Sequence, residues 1–223
     1  NGDDEIQVSE SSSYDGNLNC SFENISDLTG IEAFSALEDL NCSENNLNAI
    51  DISSLENLRN FNCSGNWQIT TLDLSQNILL ETLEFRMLTQ LNSINLTNNP
   101  LLDTIDCEWN GLANLDLTQN INIKSLNCAI GQQLTNLNLT GLALLENLIC
   151  YDTQIESLNL YSNTELKRLL CYDTKLTSLD LSQNLNFELL NLHTSDYLTC
   201  LNLKNGNNQN MDIFYKNSCN YYI

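Results

Sequence analysis

The sequence has few basic residues, a single proline and no long apolar run. Its 223 residues include 8 Lys and Arg against 29 Asp and Glu, which gives a formal net charge of −21. Such a charge repels nucleic acids and anionic membrane surfaces, and it favours cationic partners or divalent ions. No segment reaches the roughly 18 consecutive apolar residues of a membrane-spanning helix. Since 42% of the residues are hydrophobic, the chain has enough apolar material for a folded core.

The sequence also lacks the motifs of common enzymes. It contains no GxSxG, P-loop, HExxH or CxxC pattern, and acidic residues are too abundant for any pair of them to be diagnostic. His193 is the only histidine, so a Ser–His–Asp relay would have to join it to Ser195 and Asp196. These residues are merely close in sequence at a predicted turn, whereas a triad is defined by its geometry. We therefore expect no catalytic activity, no cofactor and no metal site.

Most of the cysteines do not have the spacing of a disulfide framework. Seven of the 9 recur at intervals of 21 or 22 residues, with one interval of 44 in which Phe85 fills the missing place. These seven are Cys20, Cys42, Cys63, Cys107, Cys128, Cys150 and Cys171. A place shared by Cys and Phe is one for a buried apolar side chain, because a free Cys packs as a small hydrophobe. The spacing predicts buried free thiols rather than zinc or redox chemistry.

The other two cysteines, Cys200 and Cys219, lie outside this pattern near the C-terminal end. They enclose a polar stretch that has lost the repeat. We expect a disulfide bond between them that closes the end of the domain. The alternative is two unpaired thiols in an irregular tail.

Two alternating sets of apolar pairs recur with a combined period of 21 or 22 residues. We call them the Cys row and the Asp row. The Cys row comprises Leu18/Cys20, Leu40/Cys42, Phe61/Cys63, Leu83/Phe85, Ile105/Cys107, Leu126/Cys128, Leu148/Cys150, Leu169/Cys171 and Leu190/Leu192. The Asp row comprises Ile50/Ile52, Leu72/Leu74, Ile94/Leu96, Leu115/Leu117, Leu137/Leu139, Leu158/Leu160, Leu179/Leu181 and Leu201/Leu203. Repetition at this period predicts a solenoid of about nine stacked coils, since one coil cannot bury its apolar face alone.

Asparagines recur three residues after many of these pairs. They are Asn45, Asn66, Asn77, Asn99, Asn110, Asn120, Asn163 and Asn184. A stacked amide can donate to and accept from the backbone groups of adjacent turns, which would otherwise be orphaned in the interior. We expect an internal asparagine ladder, interrupted where another residue, such as Thr153, Thr174 or Gly206, takes the place.

The pattern LxxLxCxxNxLxxLDLSxN resembles bacterial leucine-rich repeats. Leu37, Leu40, Cys42, Asn45 and Leu47 carry one half, and residues 72–77 (LDLSQN) carry the other. The repeats are most similar to the nested 21-residue type of Bacteroidetes proteins. Residues 27–40 (DLTGIEAFSALEDL) are similar to internalin-type repeats. Residues 197–203 (YLTCLNL), followed by Cys219, are similar to the C-terminal cap of repeat proteins from Bacteroidetes.

This resemblance implies a leucine-rich-repeat solenoid of the α/β horseshoe class. It would be mostly β, with short parallel strands on two faces and few helices. We expect a flexible acidic tether at residues 1–17, the repeat domain at 18–206 and a C-terminal cap at 207–223. The resemblance also implies partner binding at the cell surface or outside the cell. The acidic start is similar to the segment after the lipidated cysteine of surface lipoproteins, so an outer-membrane tether by N-terminal lipidation is a further expectation.

The outward positions of the Cys row vary from coil to coil, whereas those of the Asp row are nearly uniform. Exposed aromatic and apolar side chains in contiguous rows are typical of binding surfaces. We predict that the Cys row lies on the concave side and that its variable residues contact the ligand. The candidates are Arg86, Met87, Trp109, Ile130, Ile149, Tyr151, Arg168, Leu170, Tyr172 and His193. The alternative is that loops or neighbouring coils cover them. Calcium binding along the Asp row is a weaker alternative, because Asn alternates with Asp there.

The sequence therefore favours a non-catalytic binding or adhesion module that recognises a protein or a glycan. An acidic polysaccharide is disfavoured unless cations bridge the charges. The alternative is a structural accessory protein, such as a lipoprotein that supports a larger surface complex.

Overall fold

The structure, a computed structural model, describes residues 11–206, 212–215 and 221–222. Its main feature is a ten-stranded parallel sheet in which each coil contributes one short strand. In order across the sheet these are β1 (Asn17–Asn19), β2 (Asp39–Asn41), β3 (Asn60–Asn62), β4 (Thr82–Glu84), β5 (Thr104–Asp106), β6 (Ser125–Asn127), β7 (Asn147–Ile149), β8 (Arg168–Leu170), β10 (Leu189–Leu192) and β12 (Asp212–Tyr215). Apart from the helical Ser11, helix in the described residues is limited to one 3₁₀ turn, Ile31–Ala33. The predicted leucine-rich-repeat solenoid is confirmed.

The coils stack in register, so residues one period apart become neighbours. Leu40 pairs with Phe61, and Phe61 pairs with Leu83, each at the central place of its strand. These central residues are all buried from β2 to β10. The prediction that side chains one period apart form continuous internal stripes is therefore confirmed.

The cysteine column lies inside the stack. Cys42, Cys63, Cys107, Cys128, Cys150 and Cys171 are buried free thiols, Phe85 completes the column, and Cys20 in the first coil is half-buried. Burial raises the pKa of the Cys42 and Cys171 thiols to about 12. Since the thiolate is the reactive form, these cysteines serve packing and not chemistry.

The asparagine ladder is also present. All eight predicted asparagines are buried. The Oδ1 atoms of the Asp-row asparagines are buried and accept from no described residue; these are Asn77, Asn99, Asn120, Asn163 and Asn184. On the Cys row, Asn66 Nδ2 donates to the carbonyls of Cys42 at 3.1 Å and Cys63 at 2.9 Å, and its Oδ1 accepts from the amide of Leu47 at 3.0 Å. One side chain thus satisfies backbone groups of two coils. Where Thr153 takes the place, its hydroxyl donates only to the Cys150 carbonyl of its own coil, at 2.8 Å.

The last coil corrects the predicted ladder. Asn205, and not Gly206, occupies the ladder position: it is buried, and its Nδ2 donates to the Asn184 carbonyl at 3.2 Å. The repeat shortens by one residue there, which a fixed spacing could not show.

The second face has regular strands only near its C-terminal end. These are β9 (Ser178–Asp180), β11 (Cys200–Asn202) and β13 (Tyr221–Tyr222), which form a parallel sheet in the order β13-β11-β9. In earlier coils, asparagine side chains join the turns instead: Asn77 Nδ2 donates to the carbonyls of Ile52 and Leu55, both at 2.9 Å. Backbone pairing holds strands about 4.8 Å apart. We infer wider spacing on the unpaired face, which favours the prediction that the Cys row is concave.

Both ends of the stack carry additional contacts. Near the start, the rings of Tyr14 and Phe34 meet edge to face, with centroids 6.3 Å apart. Near the end, β12 pairs with β10, and Ile213 packs against the core. Cys200 is an exposed free thiol, and its predicted partner Cys219 lies outside the described residues, so the disulfide stays a prediction. The division at residues 17 and 206 stays a prediction as well. No helix in the described part of the chain has the length and hydrophobicity that a membrane crossing needs.

Candidate binding face

The candidate residues lie on and just after the strands of the main sheet, where coil-to-coil hydrogen bonds continue past each strand end. The amide of Cys107 donates to the Asn127 carbonyl at 2.8 Å, and the amide of Trp109 donates to the Ala129 carbonyl at 2.9 Å. In each coil the residue at the place of Trp109 has a left-handed backbone, with φ between 52° and 74°. This left-handed column comprises Phe22, Glu44, Gly65, Met87, Trp109, Ile130, Asp152, Asp173 and Thr194.

The left-handed column places large apolar side chains where the backbone disfavours them. Gly, Asn and Asp tolerate this conformation best, and a β-branched residue such as Ile130 is a clear outlier. The conformation itself serves the scaffold, since every coil uses it. The choice of Met87, Trp109 and Ile130 in three successive coils does not serve the scaffold, because Gly or Asp would be less strained there.

The structure brings Tyr151 and Tyr172 together, as the stacking of coils predicts. Their rings are parallel, with centroids 4.5 Å apart and planes 4° apart. The Tyr151 hydroxyl donates to Glu108 Oε1 at 2.9 Å, two coils away. The intervening coil has the small, fully buried Ala129 at the equivalent place, which leaves room for the phenol to reach across. Burial, followed by the bond to the Glu108 carboxylate, raises the pKa of Tyr151.

Beside the tyrosines, one guanidinium pairs with two of three neighbouring carboxylates. We call Glu84, Asp106 and Glu108 the carboxylate cluster. Arg86 Nη2 lies 3.3 Å from Glu108 Oε2, and its Nε lies 3.7 Å from Asp106 Oδ2. Burial is the main cause that raises the pKa of both Glu84 and Asp106. The charge of Arg86 is therefore engaged within the cluster.

Amide side chains on the neighbouring strands complete the network. Asn62 Nδ2 donates to Glu84 Oε2 at 2.9 Å. Asn127 Nδ2 donates to Asp106 Oδ1 at 3.1 Å and to Glu108 Oε2 at 3.2 Å. The cluster is therefore held in place from the strand on either side, as a preformed acidic surface.

The C-terminal half of the face is apolar. Ile149 and Leu170 pair in register on β7 and β8, and both are half-buried. Arg168 is exposed at the start of β8 and has no ion-pair partner within the described ranges. Phe214 on β12 lies in register with Asn191 and is 54% exposed, so it adds an aromatic ring to the outward row. Sequence reasoning had assigned Phe214 to the cap, because the repeat is lost before it.

A tryptophan pair borders the left-handed column. Trp67 and Trp109 meet nearly at right angles, with centroids 5.4 Å apart, and both are exposed. Met87 and Ile130 on the adjacent coils are half-buried. Sequence reasoning missed Trp67, although an alignment of the coils could have found it, because the equivalent residues of other coils are small or polar. These include Asn46, Thr89, Gly111, Gln132, Gln154 and Lys175.

His193 shows no catalytic arrangement. It is exposed, and none of the hydrogen bonds in the described chain joins its imidazole to Ser195 or Asp196. The Ser195 hydroxyl is buried without a hydrogen-bond partner. Among the residues described, no group of three or more His, Cys, Asp or Glu side chains is placed to hold a metal ion.

The uniform residues of the Asp row are explained by a local turn. The Oδ1 of Asp73 accepts from the amide of Ser75 at 2.9 Å, and Asn95 makes the same bond to Thr97 at 3.1 Å. This hydrogen bond lowers the pKa of Asp73. Asp and Asn are interchangeable in such a turn, since both offer an acceptor oxygen. The alternation of the two residues along the row therefore reflects turn formation.

Several solved structures similar to this chain are bacterial leucine-rich-repeat proteins. The functional domain of InlJ from Listeria monocytogenes, described as including a cysteine ladder, has a TM-score of 0.87 and 26% identity over 96% of this chain. This chain spans only 46% of that one, about half its length. Internalin C2 of the same organism has a TM-score of 0.72 at 19% identity, covering 82% of each chain.

A third similar structure is a leucine-rich-repeat protein of Leptospira interrogans. It has a TM-score of 0.61 at 19% identity, with coverage of 86% of this chain and 57% of that one. No family model and no curated protein matches the sequence. By its stacked coils and these structural likenesses, the chain has a leucine-rich-repeat fold similar to that of internalins.

Proposed function

We propose that this protein is a non-catalytic binding or adhesion module that acts outside the cell or on its surface. It recognises a protein or a glycan through the variable face of the Cys row. We assign its repeats to the nested Bacteroidetes type because the Cys and Asp rows alternate throughout. The likeness to internalins supports the binding role.

One observation carries the proposal. Outward variation is concentrated on the Cys row, whereas the Asp row repeats the same turn. A requirement for folding alone would apply to both faces of every coil. The variable face instead collects two tyrosines, a tryptophan pair and strained apolar residues, the side chains that dominate binding energy at interfaces.

The experiment compares a double tyrosine variant on the variable face with a single tyrosine variant outside it. The purified chain and a Tyr151→Ala/Tyr172→Ala variant are tested on glycan arrays and in pull-downs with cross-linking. Tyr161→Ala is the matched control, because Tyr161 is 71% exposed and follows the Asp-row turn at Asn159. We expect the ligand of the wild-type chain to be lost by the double variant and kept by Tyr161→Ala. Equal binding by all three proteins would contradict the proposal.

A second candidate function is that of a structural accessory protein in a surface complex. It is favoured by a line of exposed apolar side chains in four successive coils, at the turns that follow the Asp row: Ile78, Leu101, Ile121 and Leu144. If this is the function, Ile78→Ser/Ile121→Ser will abolish co-purification with a fixed partner, and the tyrosine variant will keep it.

A further inference from the structure

We infer that the ligand of the variable face is a protein surface on which Arg or Lys lies beside an apolar side chain. This inference rests on the proposed function, since it takes the Cys-row face to be the binding face. It adds the chemistry of the partner: cations against the carboxylate cluster, and apolar groups against Ile149 and Leu170.

Some carboxylate oxygens of the cluster are free to accept further hydrogen bonds. Glu84 Oε1 accepts no hydrogen bond from any described residue, and Asp106 Oδ2 has only the 3.7 Å approach of Arg86 Nε. Glu84 and Asp106 lie directly opposite each other on β4 and β5. Like charges at such a place destabilise a sheet, and a cation between them would remove that cost.

Burial strengthens this argument. Both carboxyls are half-buried on the face, and their pKa values are raised mainly by loss of solvation. A half-buried carboxylate gains more from a neighbouring cation than an exposed one does, because water screens the attraction less. Among the described residues, the Arg86 guanidinium pairs with Asp106 and Glu108 and not with Glu84, so a second cation from a partner fits the charge of the site.

The tyrosine pair adds a second means of holding a cation. Tyr151 is hydrogen-bonded to Glu108, so the stacked rings lie next to the cluster. Aromatic faces attract guanidinium and ammonium groups. The chain itself contains such a contact elsewhere, with Lys175 Nζ 4.1 Å from the centre of the Tyr197 ring.

The charge balance separates a basic protein from the other ligand classes. A net charge of −21 steers cationic partners towards the chain and repels acidic glycans. A neutral glycan could stack on the tyrosines but would leave the carboxylates without a counter-charge. The apolar pair Ile149 and Leu170 calls for an aliphatic or aromatic neighbour, which a protein surface supplies beside its Arg or Lys.

The test uses charge-matched variants and a defined probe. The probe is a short capped peptide of alternating Arg and Leu, with an Arg–Ser peptide for comparison, titrated by calorimetry at physiological ionic strength. The site variant is Glu84→Gln/Asp106→Asn/Glu108→Gln. The control is Asp51→Asn/Asp73→Asn/Asp116→Asn, which removes the same charge from the Asp row and keeps its turns, as Asn95 shows.

We expect the site variant to lose about tenfold or more in affinity for the Arg–Leu peptide, and the control to lose much less, because only local charges lie in contact. The Arg–Ser peptide should bind more weakly than Arg–Leu. Glu84→Gln alone, which breaks no bond to Tyr151, should give part of the loss. Equal losses in the two triple variants, or equal binding of the two peptides, would overturn the inference.

The experiments distinguish a failure of this inference from a failure of the proposed function. If a natural ligand is lost by Tyr151→Ala/Tyr172→Ala and is a neutral glycan unaffected by the site variant, the proposed function stands and this inference is wrong. If neither set of changes alters binding of the natural ligand, the binding face itself is wrong. Circular dichroism of each variant establishes that the fold is retained.

Discussion

Replacement of Asn66 by Ala should show that the asparagine ladder holds adjacent coils together. Asn66 is fully buried and bonds to four backbone groups: the carbonyls of Cys42, Cys63 and Ser64 and the amide of Leu47. The Ser64 carbonyl, 3.5 Å away, also accepts from the Glu44 amide at 2.7 Å, so it stays satisfied. The Cys42 carbonyl keeps a second donor, Asn45 Nδ2 at 3.0 Å, so it stays satisfied. The Ala variant therefore orphans two groups, the Leu47 amide and the Cys63 carbonyl.

The expected loss in the free energy of unfolding follows from these two orphaned groups. An unsatisfied buried backbone group costs about 1–3 kcal/mol, so Asn66→Ala should lower the free energy of unfolding by about 3 kcal/mol. Asn66→Thr should cost about half as much. The hydroxyl of the introduced Thr can donate to the Cys63 carbonyl in the way that Thr153 donates to the Cys150 carbonyl. Only the Leu47 amide is then left unpaired.

The assay is urea unfolding followed by far-ultraviolet circular dichroism. The matched control is Asn98→Ala, because Asn98 is exposed and donates only to the Ser75 carbonyl at 3.2 Å. We expect a change within about 0.5 kcal/mol for the control. The reasoning is refuted if Asn66→Ala costs no more than Asn98→Ala, or if Asn66→Thr is less stable than Asn66→Ala.

Three further predictions follow from the geometry. Gly65→Ala should cost about 1–2 kcal/mol in urea unfolding, because φ is +74° and the new Cβ would meet the Glu44 carboxylate; an unchanged midpoint would contradict this. Stability should fall as pH rises above about 9, by about 1.4 kcal/mol per pH unit for each buried thiol, because unfolded thiols ionise near their ordinary pKa of 9.0 while Cys42 holds its proton to about 12. Urea midpoints between pH 7 and pH 10 measure this dependence of stability on pH, and Cys63→Val should make the slope smaller. An equal slope in the variant would contradict the prediction. Arg86→Gln should raise the pKa of Glu84 and Asp106 further in carboxyl NMR titrations, since the guanidinium lowers both, and lower values would show that Arg86 does not act on them.

The fold could be predicted from sequence because every coil repeats the same physical problem. Each apolar pair must face inward, and each orphaned turn needs an amide, so the period alone assigned the buried residues such as Cys63 and Asn66 correctly. The same pattern overestimated the strands of the second face. An L-x-L pair shows which side chains are buried, but it does not show whether backbones of adjacent coils are close enough to pair.

The candidate face was predictable in outline and not in its bonds. Stacking placed Tyr151 against Tyr172 because they occupy equivalent places one period apart. The bond from Tyr151 to Glu108 skips a coil, and it depends on the size of Ala129 rather than on the period. The pairing of Arg86 likewise depends on acidic residues of the next coil, which a list of outward residues read one coil at a time does not reveal.

The central claim, that coils stack in register around an internal column of cysteines, is tested most directly by thiol alkylation of the native chain under mild reduction, read by peptide mass spectrometry. We predict that Cys200 is labelled quickly, whereas Cys63, Cys128 and Cys171 react only after unfolding. Labelling of these three in the native chain at the rate of Cys200 would contradict the account.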